Sequence, residues 1–384
     1  MRSNIFVLTT IVGAFFIGCG NGDGDNENKL AIKEALGESF YHDTNLSANR
    51  TMSCATCHVL KEGLVDPRTT NKTLGASLGD DGTSVGDRNA PSAGYASFSP
   101  DFHFDRDEGL FIGGQFLDGR STDLKAQAKG PFLNPIEMGM PDMASVLERV
   151  KENETYVTQM QIVYGITIFA DEEKAYDAVA ESIAAFESTK VFSPFDSKYD
   201  RFLSGTYALN DQEARGMALF SDEADVLGAG RCTLCHPIVA EENARALMTD
   251  FSYDNLGVPI NTALRTANGQ AGNFDVGLFG NPAVTDTDLK GAFKVSSLRN
   301  VAVTGPYMHN GVFQELKTAV HFYNTRDVSG SINPETGAAW ELGEFHAGRN
   351  VDELGDLGLS DADEDDIVAF LKTLTDKRYE HLIP

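Results

Sequence analysis

The sequence is poor in tryptophan, cysteine and positive charge. Trp340 is the only tryptophan, five cysteines occur in 384 residues, and 31 Lys and Arg face 57 Asp and Glu. The net charge of −26 excludes nucleic acid and anionic lipid as natural partners, because both would be repelled. A basic redox protein would be attracted, although charge alone selects none. Sustained alternation of polar and apolar residues is missing, which argues against a β fold. A hydrophobic content of 41%, a charged content of 23% and the chain length suit a soluble protein of two ordinary domains.

The apolar run from Ile5 to Ile17 is too short to span a bilayer and follows Arg2, as a signal-peptide core does. It ends at Gly18-Cys19, a small residue before a cysteine, which lipoprotein processing would cleave and acylate. Residues 1–18 are then the signal peptide, and 19–29 a flexible tether without apolar residues up to Asn28. Phe16 stands where Leu is usual, so ordinary secretion with Cys19 removed or idle is the other reading. Both place the protein in the bacterial periplasm, and only the first gives it contact with a membrane, through a lipid anchor.

The other four cysteines form Cys54-Ala55-Thr56-Cys57-His58 and Cys232-Thr233-Leu234-Cys235-His236. CxxCH is the attachment signature of a c-type haem. Two thiols add to the two vinyl groups, and the adjoining histidine reaches the iron. A shared zinc site would need its four ligands close together, and nearly half the chain separates these motifs. Two complete copies with no spare cysteine give two covalently bound haems.

The contexts of the motifs repeat. Phe40 and Phe220 each end a helical pattern leading into a CxxCH, and Ile183 to Thr189 echoes Ile367 to Thr373 at near-equal distances downstream. Asn210 and Ser360 are expected helix N-caps, the latter before the acidic turn Asp361 to Asp366. The expected fold is mainly α, with two cytochrome c-like domains over 30–205 and 206–384, each carrying one haem. Leu316, Ala319, Val320 and Tyr323 share one face of a predicted helix, with His321 on another.

Further motifs are Arg88-Asn89-Ala90-Pro91, Asp118-Gly119-Arg120, Gln127 to Pro131, Leu133 to Met138, Leu298-Arg299-Asn300 and Gly305 to Gly311. With both CxxCH sites, these resemble the bacterial diheme cytochrome c peroxidases, in their MauG-like branch, over the whole chain from about Leu30. The resemblance implies that the haem on His58 meets H₂O₂, with Glu137 as its acid–base carboxylate, Gln127 as the distal amide and Pro131 lining the pocket. It implies that the haem on His236 transfers electrons, with Tyr323 as its second axial ligand where many relatives have Met. It also implies Ca²⁺ between the haems, held by Asn89 and the carbonyls of Thr304 and Pro306.

Three departures qualify the picture. The loop Leu78 to Thr83 has no histidine where many members carry a distal ligand, so the first haem is expected to be open. His103 lies in an inserted aromatic stretch, where a surface loop is the expected setting. Leu117 replaces the usual inter-haem tryptophan and cannot relay a hole, which leaves the adjacent Phe116 or direct transfer. The expected function is a periplasmic peroxidase drawing electrons from a partner-protein side chain or a redox protein. The alternatives are a conventional scavenging cytochrome c peroxidase and a diheme electron carrier without catalysis.

Overall fold

Helices begin in this chain where a short polar side chain can cap them. In the computed structural model, which describes residues 22–221, 231–238 and 246–384, the longer helices are α1 (Gly22–His42), α2 (Leu124–Leu133), α3 (Met143–Lys151) and α4 (Glu154–Tyr164). They continue with α5 (Glu172–Glu187), α6 (Asp211–Phe220), α7 (Leu316–Thr325) and α8 (Asp361–Lys372). Asp123, Asp142, Asn153 and Asp171 each accept an amide at the start of α2 to α5. Asn210 and Ser360, the two caps read from the sequence, form reciprocal capping boxes with Glu213 and Asp363.

Strands are few, as expected of a mainly α protein. β1 (His103–Asp105) and β2 (Leu110–Ile112) make a hairpin, and β3 (Tyr253–Asp254) pairs antiparallel with β4 (Phe293–Lys294). Cys19 and the leader lie outside the described residues. The polar stretch expected as a flexible tether is corrected in part: α1 is already helical from Gly22, and exposed from Asn26 to Ala31. Extending a helix nucleated by the buried turns around Leu36 and Phe40 costs far less than starting one, so polar composition did not prevent it.

Apolar side chains collect in two main cores. One runs from Leu36 through Phe132 and Val179 to Phe192, the other from Tyr199 through Phe220 and Val320 to Leu374. Tyr199, ahead of the expected boundary at 205, already packs with the second. The two cores share one device. α1 crosses α5 at Gly37, where an added Cβ would lie 1.9 Å from the Ser182 carbonyl oxygen. α6 crosses α8 at Gly216, where it would lie 1.8 Å from that of Asp366. One turn on, Phe186 and Phe370 occupy matching places beside the two glycines. Each glycine costs helix propensity and gains a backbone-to-backbone approach that no other residue permits.

Buried polar contacts join the halves. Arg88 bonds Asp118 at 2.6 Å and Asp275 at 2.6 and 2.7 Å. The Tyr95 hydroxyl donates to Asp376 at 2.5 Å, Asn300 donates to the same carboxylate at 2.8 Å, and the Tyr379 hydroxyl donates to the Leu60 carbonyl. The C-terminal segment thus reaches back to the loop after the first CxxCH.

Gly216→Ala should lower the thermal midpoint of the haem-loaded protein, by overpacking worth about 1–3 kcal/mol or more, and Gly37→Ala should do the same. An unchanged midpoint in both would contradict the close crossings.

Candidate functional site

The second CxxCH opens onto an apolar cavity of about 360 Å³. Cys232, Cys235 and His236 lie on its wall, and so do Leu316, Ala319, Val320 and Tyr323, the face of α7 expected from the sequence. The His236 amide bonds the Cys232 carbonyl, so the attachment segment closes one helical turn. His236 Nδ1–H donates to the Met248 carbonyl at 2.7 Å, which leaves Nε2 free for a metal. Two thiols, a fixed imidazole and an apolar cavity fit a c-type haem.

Tyr323 is held over this cavity by its neighbours. Its carbonyl accepts from the Gly355 amide, and Asn324 ties α7 to α8 through Glu364 at 2.6 Å and to the Leu359 carbonyl. Burial pushes the phenol's proton affinity well up, and Cys235 and Asp254 add to this. A nearby metal cation would have to supply the charge that draws that proton off. His321 turns elsewhere, with Nδ1 2.8 Å from Glu364, as its helical position predicted. Asp254 and Glu353 sit beside Cys235, both bonded by the Asn350 amide at 2.7 Å.

The first CxxCH has the same local frame. Cys54 to Cys57 form one turn, the His58 amide bonds the Cys54 carbonyl, and His58 Nδ1–H donates to the Leu64 carbonyl at 3.2 Å. The Tyr41 hydroxyl holds the His58 carbonyl at 2.8 Å. Arg68 Nη2 donates to Cys57 Sγ at 3.3 Å, and Asp66 holds the guanidinium. Burial, opposed by Arg68, pushes the Cys57 thiol up to about 11.

Glu137 arrives by a chain reversal after α2. The amides of Met138 and Met140 donate to the carbonyls of Pro131 and Phe132, folding the turn back onto the helix end, where carbonyls lack helical partners. The carboxylate lies close enough for its charge to act on both Cys54 and Cys57. Burial raises its proton affinity, and Arg120 and the Asn134 amide offset part of that rise. A carboxyl poised upward in this way can both take and return a proton. Gln127 is half-buried on α2, and no hydrogen bond joins it to Glu137 among the described residues.

Sequence reasoning noted that loop 78–83 has no histidine but missed what holds it. Asp80 is buried and accepts from Ser47 Oγ at 2.7 Å, the Asn49 amide at 2.5 Å and Thr51 Oγ1 at 2.6 Å. Its own amide donates to the Glu137 carbonyl at 2.8 Å. Burial would raise its carboxyl, and these hydrogen bonds overcome that to hold it below the usual range. The loop is therefore clamped between the turn leading to Cys54 and the turn carrying Glu137. His103 stands on the exposed hairpin with Nδ1 2.7 Å from the Asp101 carbonyl.

Between the two sites, Asn89 Nδ2 lies 2.6 Å from the Pro306 carbonyl, and Asn89, Thr304 and Pro306 all line the cavity. Leu117 is buried on the same wall, and the neighbouring Phe116 ring carries the Arg120 guanidinium at 3.7 Å. Lys294 and His309, which sequence reasoning gave no role, line it too.

The di-haem cytochrome c peroxidase family matches residues 31–208. The methylamine utilization protein MauG of Paracoccus denitrificans is 47% identical over 357 residues, 91% of this chain and 90% of its own. Cytochrome c551 peroxidase of Nitrosomonas europaea is 33% identical over 350 residues, 91% of this chain and 81% of its own. The solved diheme peroxidase BthA of Burkholderia thailandensis superposes with a TM-score of 0.81 at 32% identity, over 92% of this chain and 88% of that one. The chain therefore belongs to the diheme cytochrome c peroxidase family in its MauG-like branch, an oxidoreductase with two c-type haems and not a carrier without catalysis.

Proposed function

We propose that H₂O₂ is reduced at the haem on Cys54, Cys57 and His58, and that electrons reach it through the haem on Cys232, Cys235 and His236, closed by Tyr323. The observation that carries this reading is an asymmetry of the two sites. Tyr323 shares a cavity with His236, whereas the first site faces Glu137 and a histidine-free loop clamped by Asp80. When bound, haem iron supplies the two-electron cleavage of the O–O bond. Glu137 would accept a proton from the peroxide and return it to the departing oxygen, and Gln127 would orient the peroxide by hydrogen bonding.

A phenolate is a hard anionic ligand that favours oxidised iron, which suits a site holding oxidising equivalents. The electrons would then come from a partner-protein side chain or a periplasmic redox protein. Leu117 favours a second reading, a conventional scavenger fed by a small cytochrome or copper protein, because no oxidisable side chain stands at that inter-site position. Ca²⁺ at Asn89, Thr304 and Pro306 belongs to the same proposal and is supported by the approach of the Asn89 side-chain amide to the Pro306 carbonyl, with Thr304 on the same wall. Periplasmic placement and acylation of Cys19 rest on the N-terminal sequence. Among the described residues no helix is long and apolar enough to cross a membrane.

Glu137→Gln should lower the peroxidase rate roughly 10²–10⁴-fold with both haems still attached. Because burial raises its proton affinity, the carboxylate form is lost as pH falls through a value above that of an ordinary glutamate. Wild-type activity should therefore fall on the acid side at that higher pH, and the limb should vanish in the variant. An unchanged rate and profile would sink the role given to Glu137. Adding Ca²⁺ to chelator-treated protein should raise its thermal midpoint, by about 2.7 kcal/mol of stabilisation at 100 times Kd. Asn89→Ala should abolish that rise.

A further inference from the structure

Lys294 is a half-buried cation without an anion. Its Nζ donates to Ser99 Oγ at 2.5 Å and to the Gly114 carbonyl, and lies 5.4 Å from the centre of the Phe251 ring. None of these is charged, and no carboxylate lies within 4 Å of it among the described residues. Burial alone pulls the ammonium down to about 7. An ammonium buried against neutral groups is expensive, and proteins keep one where an anion completes the site.

The cavity that Lys294 lines is the one reached by Cys232, Cys235 and His236. Another nitrogen on its wall lacks a hydrogen-bond partner: His309 Nε2 is buried and makes no hydrogen bond, with its ring stacked 3.6 Å from that of Phe293. A haem bonded through its vinyl groups carries its two propionates on the opposite edge. Cys232 and Cys235 would hold one edge of it, and the wall of the same cavity also includes residues of the other half of the chain. That wall contains Ser99, Gln115, Leu117 and, pinned to it, Lys294. The Lys294 amide also donates to the Leu117 carbonyl at 2.9 Å, so backbone and side chain both dock on the 99–117 segment.

We infer that Lys294 is the counter-ion of a propionate of the haem on Cys232 and Cys235, with His309 Nε2 as a second donor to the same edge. Lys294 is thus a positioning residue: it locks the second haem against the first half and sets that haem's potential by its charge. A cation beside the haem favours the reduced iron, which carries one positive charge fewer. The inference needs only the second haem, not the division of roles or the Tyr323 ligand proposed above.

The test uses the full-length holoprotein and Lys294→Gln, Lys294→Met and Lys294→Arg, each first shown to carry two haems per chain by pyridine haemochrome. An EPR-monitored redox titration follows each haem, and resonance Raman follows the propionate bending mode. The expected result is a downward shift in the potential of the haem on His236 in the Gln and Met variants, a moved propionate mode, and restoration of both by Arg. An unshifted potential with an unmoved mode, or a shift confined to the haem on His58, would overturn the inference. His309→Gln should move the same mode by a smaller amount.

Discussion

Each half of this protein is organised around one histidine whose Nδ1–H is held by a main-chain carbonyl. Leu64 serves His58 and Met248 serves His236. That bond selects the tautomer, turns Nε2 toward the cofactor and ties a downstream loop to the attachment turn. The thiols in each CxxCH then have a fixed position relative to the ring. Helices, glycine crossings and inter-half ion pairs all serve to keep these two frames in register.

The same frame is used twice and finished differently. Around His236 the cavity is roofed by α7, whose apolar stripe ends on Tyr323, and α8 holds α7 through Asn324 and Glu364. Around His58 the corresponding approach is made by the turn carrying Glu137 and by the loop that Asp80 clamps to Ser47, Asn49 and Thr51. In the proposed roles, one site has Tyr323 as a hard ligand and the other has Glu137 as a carboxyl able to exchange a proton. Electrostatics takes the same form at both, since burial raises Tyr323 and Glu137 and a cation opposes the rise in each, Arg326 at Tyr323 and Arg120 at Glu137. Between them runs a wall of polar anchors, with Arg88 on Asp118 and Asp275 and Tyr95 on Asp376, which fixes the separation of the two frames.

Features set by contiguous residues could be read from the sequence. The CxxCH turns, the caps at Asn210 and Ser360, and the Tyr323 face of α7 follow from chemistry or periodicity within a dozen residues. Features made by distant partners could not. Asp80 sits in a Gly-Asp-Asp-Gly loop that reads as a solvated turn until Ser47 and Thr51 are brought to it. Gly37 and Gly216 look like weak helix positions until the facing backbones are placed. No motif in the sequence marks Lys294, and only the fold puts its ammonium on the wall of a cofactor cavity. The polar segment after Gly22 erred in the other direction, because helix propagation overrode its composition.

The central claim is that the two haems are unequal, one open and one closed by Tyr323. Low-temperature EPR of the oxidised full-length protein beside Tyr323→Met tests it most directly. One high-spin signal that is the same in both proteins, and one low-spin signal that changes with the substitution, are the expected result. Two low-spin signals in the wild-type protein, or a low-spin signal indifferent to Tyr323→Met, would contradict it.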